Sequence, residues 1–307
     1  MTEYVIETKN LTKKYKDKTV VNNINMKVEK GKIYGLLGKN GAGKTTTMRM
    51  LLNLAEKTSG EIMIFGNKAT NQTYHKIGSI IETPGFYENL TAEENLKIIA
   101  KIRGNYSKDN IREILSLVSL DDNNKKYGDF SLGMKQRLGI AAAIMHKPEL
   151  LILDEPINGL DPIGIKQIRH LLKELSRKNG TTILISSHIL SEIENIADLI
   201  GVMDNGRLIK ELTKEKLNNQ LNKNVIFEVS NLKKSERILD KIGLHKGKDY
   251  TIKKPDTILL QTNLNLRDRI NEIFVKNNIK VQRISLCEEN LEDYFTRIIN
   301  PEIKISA

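Results

Sequence analysis

The stretch 33-IYGLLGKNGAGKTTTMRML-51 decides how the rest of the chain reads. Its short apolar opening predicts a buried strand, and the run that begins near Lys44 predicts a helix. Between them, 38-GKNGAGKT-45 matches G-x-x-x-x-G-K-[ST], in the strand-loop-helix context that this phosphate-binding loop requires. Gly38, Gly41 and Gly43 permit dihedrals and a close approach that a Cβ forbids. The backbone amides of the loop, Lys39, Asn40, Ala42 and Thr46 included, then point at phosphate oxygens at a helix N-terminus. Lys44 supplies charge to the β and γ phosphates of a nucleotide, and Thr45 a hydroxyl to Mg²⁺. A glycine-rich turn without a ligand is the alternative, and the flanking strand and helix weigh against it.

Two further segments gain meaning from this loop. In 150-LLILDEP-156 an apolar strand ends in two carboxylates at the edge of the expected sheet, beside the place of a phosphate loop. Asp154 suits Mg²⁺, and Glu155 suits the orientation and deprotonation of an attacking water. Alone, the pair reads as a helix-capping turn. In 131-SLGMKQR-137 a Ser and a Gly precede a helical run, so Ser131 and Gly133 offer a hydroxyl and amides to an anion. Alone, Ser131 is an ordinary N-cap.

Around these motifs the pattern is that of an α/β fold. Strand-like runs at 4-YVIET-8, 61-EIMIF-65, 150–153, 182–186 and 199–203 interleave with helical patterns after Pro162 and His188. From about 88 to 145 the pattern turns helical, which predicts a helical subdomain inserted into a nucleotide-binding domain spanning 1–212. The polar, asparagine-rich stretch 213–223 reads as a linker or short exposed helix rather than core. Residues 224–307 follow the order βαββαβ, that of a small ferredoxin-like α+β domain.

Composition bounds the function. The content of 39% hydrophobic and 28% charged residues is that of a globular protein with a sizeable core. The longest apolar runs stop short of the roughly 18 to 20 residues of a bilayer span, and the N-terminus does not read as a signal peptide. Cys287 is the one cysteine in 307 residues, which excludes an internal disulfide and a cysteine metal site. A net charge of +11 suits an anionic neighbour, either nucleic acid or the inner leaflet of a membrane. Lysines that merely solvate the surface account for it equally well.

In this order and spacing, the phosphate loop, 131-SLGMKQR-137 and 150-LLILDEP-156 resemble the nucleotide-binding domain of ABC transporters. The signature departs from the usual LSGGQ wording at Phe130, Leu132, Met134 and Lys135. The resemblance implies that Tyr15 stacks on adenine, that 159-GLD-161 with Asp161 is the loop at a dimer seam, and that His188 contacts the γ-phosphate. It implies ATP and Mg²⁺ as cofactors, with Glu155, His188 and Lys44 as the catalytic set. The signature of one subunit would complete the site of a second, in what is expected to be a homodimer. Glu82 replaces the family's usual glutamine and would bring a carboxylate towards Mg²⁺. Ile157 replaces a small polar residue.

A glutamate at that place, with the wording of 77-IGSIIETPGFYENLTAEENL-96 and 186-SSHILSEIE-194, is similar to the bacitracin-resistance and lantibiotic self-protection subgroup. The tail 291-LEDYF-295 resembles it as well. Export or removal of such a peptide would need a separate integral-membrane permease, docked around Glu82 to Leu96. The subunit is then expected at the cytoplasmic face of a bacterial cell membrane, with no nucleic acid as partner. A soluble ABC-type ATPase acting on nucleic acid or ribosomes is the rival, which the charge favours and the single domain disfavours. Another drug or a lipid is the alternative substrate, and a non-hydrolysing nucleotide switch is a third reading.

Overall fold

The computed structural model describes residues 3–82, 85–121, 124–220, 223–253, 256–288 and 294. The chain divides into one compact unit of residues 1–215 and a second of 216–307. The first is built on a six-stranded sheet in the order Arg207–Thr213, Leu199–Asp204, Ile33–Leu37, Thr182–Ser187, Leu150–Asp154 and Ile77–Ile80. All of its pairings are parallel except that of the edge strand Arg207–Thr213. A parallel sheet is covered on both faces, so its strands are apolar throughout. Ile33–Leu37, Leu150–Asp154 and Thr182–Ser187 are accordingly buried at every residue.

A smaller antiparallel sheet packs on this core. Its long strand Tyr4–Tyr15 pairs with Lys18–Ile24, Lys27–Glu29 and Ser59–Ile64. Val5, Leu11, Val21 and Ile64 join Met48 and Leu51 of the phosphate-loop helix in one buried cluster. Each such aliphatic side chain contributes about 1.5–3 kcal/mol of burial. The loop helix is therefore clamped between two sheets.

The inserted helices are Ala92–Ile102, Lys108–Leu117 and Leu132–Ile144. The first starts on a capping box, in which the Thr91 amide donates to Glu94 at 2.8 Å and the Glu94 amide to Thr91 Oγ1 at 3.3 Å. Asn95, buried behind it, accepts from the Tyr87 amide at 2.8 Å and donates to the Tyr87 and Thr91 carbonyls. One amide thus shapes the turn from Tyr87 to Thr91. The helix Leu132–Ile144 lies so close to Ile77–Ile80 that a Cβ on Gly78 would stand 2.0 Å from the Ala143 carbonyl oxygen.

The stretch expected to be a polar linker contains the helix Lys214–Gln220, and Leu217 within it is fully buried. Two leucines, Leu217 and Leu221, among lysines and asparagines carry too little periodicity to signal that burial. In the second unit the four-stranded sheet runs Tyr250–Lys253, Thr257–Leu260, Lys223–Val229, Val281–Glu288. With its helices Leu232–Lys241 and Arg267–Lys276 this is the ferredoxin-like strand order. Phe227 and Phe274 meet edge-on at 5.8 Å in its core. Of the tail 291–295 only Tyr294, which is buried, falls within the described residues. No described helix is long and apolar enough to cross a membrane.

Gly78→Ala should lower stability by about 1–3 kcal/mol, because backbone rather than a mobile side chain blocks the new methyl. The urea midpoint measures it, and an unchanged midpoint would show that the helix does not sit on that strand.

Candidate functional site

Parallel register sets the site. Leu37 pairs with Ser187 and Asp154 with Ser186, so three strands end together. Gly38, Glu155 and His188 follow at once, in the crevice beyond the carboxyl ends where open α/β sheets bind ligands.

The loop needs glycine at specific points. Gly43 takes φ of 104° at the start of the helix Lys44–Leu51, and a Cβ there would stand 2.7 Å from the Val20 carbonyl oxygen. Gly38 would meet the Met203 carbonyl oxygen at 2.4 Å, whereas Gly41 faces open space. The turn is braced by the Gly206 amide on the Ala42 carbonyl at 3.0 Å. Lys44 is 5% exposed, and its ammonium donates to the Gly38 carbonyl at 2.6 Å. Together with Asn40, Thr45, Thr46 and Glu155, the loop lines a cleft of about 180 Å³. Lys39 is exposed beside it.

The two carboxylates are oriented by one hydroxyl. Ser186 Oγ donates to Asp154 Oδ1 at 2.5 Å and accepts from the Glu155 amide at 3.0 Å. Thr45 donates to the other oxygen of Asp154 at 2.7 Å. Glu155 adopts φ of 48°, a left-handed conformation that costs a residue with a Cβ about 1–3 kcal/mol. Its Oε1 stands 3.3 Å from Lys44 Nζ, and its Oε2 2.9 Å from His188 Nδ1. That Oε1 is buried and makes no hydrogen bond beyond this ion pair with the Lys44 ammonium.

These features fit a nucleotide with Mg²⁺. Glycine amides suit phosphate, the Thr45 hydroxyl and Asp154 are hard oxygen donors for the cation, and the Glu155 carboxylate suits a water.

Ser131 and Asp161 lie outside this cleft. Ser131 caps the helix Leu132–Ile144 by accepting from the Met134 amide at 3.3 Å. Asp161 caps Pro162–Asn179 by accepting from the Gly164 amide at 3.0 Å. The two segments meet each other: a Cβ on Gly133 would lie 3.2 Å from Leu160, and one on Gly159 2.3 Å from Leu132. Leu132 itself remains 54% exposed. Tyr15 ends its strand half-exposed, with Lys13 Nζ 4.5 Å above its ring. Glu82 takes φ of 64° and pairs with Arg49, in the last turn of the loop helix, rather than with Thr45 or Asp154. Ile157 is buried, which explains an apolar residue there.

Sequence reading missed Ser186, Arg49 and Glu192. Glu192 is 6% exposed and accepts from Ser187 Oγ at 3.0 Å. Burial, and then the charge of Glu155, raise its pKa against that hydrogen bond. Their adjacency to the site comes from strand register and helix packing, which no local motif records.

A family model for the ABC transporter matches residues 21–158. The chain is 54% identical to a bacitracin transport ATP-binding protein, BcrA, of Enterococcus faecalis, over 97% of each chain. It is 47% identical to BcrA of Bacillus licheniformis, over 96% of this chain and 97% of that one. A lantibiotic transport ATP-binding protein, SrtF, of Streptococcus pyogenes is 46% identical over 73% of this chain and 99% of its own. Among solved structures, an ATP binding subunit of an ABC transporter aligns with a TM-score of 0.63 at 32% identity, over 70% of this chain and 92% of that one.

Gly43→Ala should weaken binding of a fluorescent ATP analogue on the order of tenfold or more, since it adds both a clash and dihedral strain. Gly41→Ala, with strain alone, should weaken it less. Equal affinities for the two variants would mean that the Val20 contact does not shape the loop.

Proposed function

Because the chain belongs to the ABC transporter family as an ATP-binding subunit, we propose that it powers removal of a bacitracin- or lantibiotic-like peptide through a separate membrane permease. The observation that carries the substrate class is identity of 54% and 47% to two bacitracin transport subunits across both of its units.

In this reading the Gly38–Thr46 loop holds the phosphates of ATP, and Tyr15 takes the adenine. Thr45 and Asp154 hold Mg²⁺, which neutralises charge on the β and γ phosphates when bound. Glu82 would bring its carboxylate towards Mg²⁺, and its pairing with Arg49 offsets its charge. Glu155 takes the proton of the attacking water, a role that its place in the lining of the phosphate-loop cleft suits. Lys44 supplies charge to the β and γ phosphates, and His188, held by Glu155 through Nδ1, presents Nε2 to the γ-phosphate. Ser131 and Gly133, packed beside the Asp161 segment on their own surface, serve the cleft of a second copy. The work is done at the cytoplasmic face of the membrane, where permease and anionic leaflet meet a chain of net charge +11.

Steady-state ATPase of the wild type and Glu155→Gln tests the chemistry. The variant should lose at least about a hundredfold in kcat and run as a dimer in ATP on gel filtration. Unchanged turnover in a monomer would remove Glu155 from its role and the second copy from the site. For the substrate, a host strain carrying Lys44→Ala should become sensitive to bacitracin and not to an unrelated antibiotic. Equal growth in bacitracin would overturn the peptide assignment.

A further inference from the structure

The turn that carries His188 is held from beneath by a buried carboxyl. Ser187 is fully buried, and its carbonyl accepts from the Gly38 amide at 3.3 Å. Its hydroxyl accepts from the Ile189 amide at 2.9 Å and donates to Glu192 Oε2 at 3.0 Å. One side chain thus ties the residue before His188 to the residue after it.

A serine hydroxyl has a single proton. With Glu192 as its acceptor, the oxygen's lone pairs face the Ile189 amide. Without that acceptor the hydroxyl rotates, and the turn loses its brace.

Glu192 is a fixed post for this purpose. It lies on the short helix Leu190–Glu194, whose Ile193 packs so tightly on the loop strand that a Cβ on Gly35 would come within 2.3 Å. Arg169, on the helix that begins after Asp161, has a buried Nε with no hydrogen-bond partner.

We propose that Glu192 is a positioning residue for ATP hydrolysis: it holds Ser187, and through Ser187 the turn that sets His188 against Glu155. This rests on the reading that Glu155 and His188 act together in hydrolysis.

The test is kcat and KM for Mg-ATP with the full chain and with Glu192→Ala, Glu192→Gln, His188→Ala and the double variant His188→Ala/Glu192→Ala. Glu192→Ala should lose on the order of tenfold in kcat, as a misplaced catalytic group does, with KM changed by less than about twofold. Glu192→Gln, whose amide oxygen still accepts the Ser187 proton, should recover most of that loss. The double variant should be no slower than His188→Ala, because Glu192 acts through the histidine.

Wild-type kcat in Glu192→Ala overturns the proposal, as does Glu192→Gln as slow as Glu192→Ala, or a double variant slower than His188→Ala. If Glu192→Ala does not fold, Ser187→Ala removes the same hydrogen bond from its other end and is judged by the same comparison with His188→Ala. A Glu155→Gln variant as fast as the wild type would overturn the hydrolysis reading and this proposal with it.

Discussion

The Ser186 hydroxyl sits between two acidic residues with opposed needs. It donates its proton to Asp154 and accepts the Glu155 amide, so a single oxygen sets the direction of both. That arrangement exists because Leu150–Asp154 and Thr182–Ser187 run parallel with Asp154 opposite Ser186. A slip of one residue would turn Ser186 to the other face of the sheet. The Thr45 bond to Asp154 then ties the phosphate-loop helix to the same pair, and the whole cleft inherits the register.

Charge placement follows from that frame. Lys44 is buried with Glu155 at 3.3 Å, and His188 approaches the same carboxylate from the other side. Glu155 is held in a left-handed conformation, and its own amide is satisfied by Ser186. Strain of this kind persists where neighbours over-determine it.

Away from the cleft, the same physics gives different emphasis. Leu132 and the Ser131 cap are exposed, and Asp161 lies beside them, as a surface awaiting a partner would be arranged. The glutamate that distinguishes this chain at position 82 is paired with Arg49. Its charge is therefore partly offset where it stands. The second unit has its own apolar core and the strand order of a split βαβ arrangement.

Residues that act through their immediate neighbours were legible in the sequence. The glycines around Lys44, the Asp154–Glu155 pair at a strand end and the helix starts at Ser131 and Asp161 are local, because phosphate cradling, strand termination and capping depend on a few consecutive dihedrals. The α/β class and the ABC family followed from their order. What only the tertiary structure decided is which of these residues share a cleft and which share a separate surface. Ser186 under the carboxylates, Arg49 on Glu82, Glu192 beneath His188 and the burial of Leu217 all arise from pairing across the sheet or packing between helices. Except for Glu192, which stands only a turn of helix beyond His188, those contacts join residues far apart in the chain, where the sequence has no period to record them.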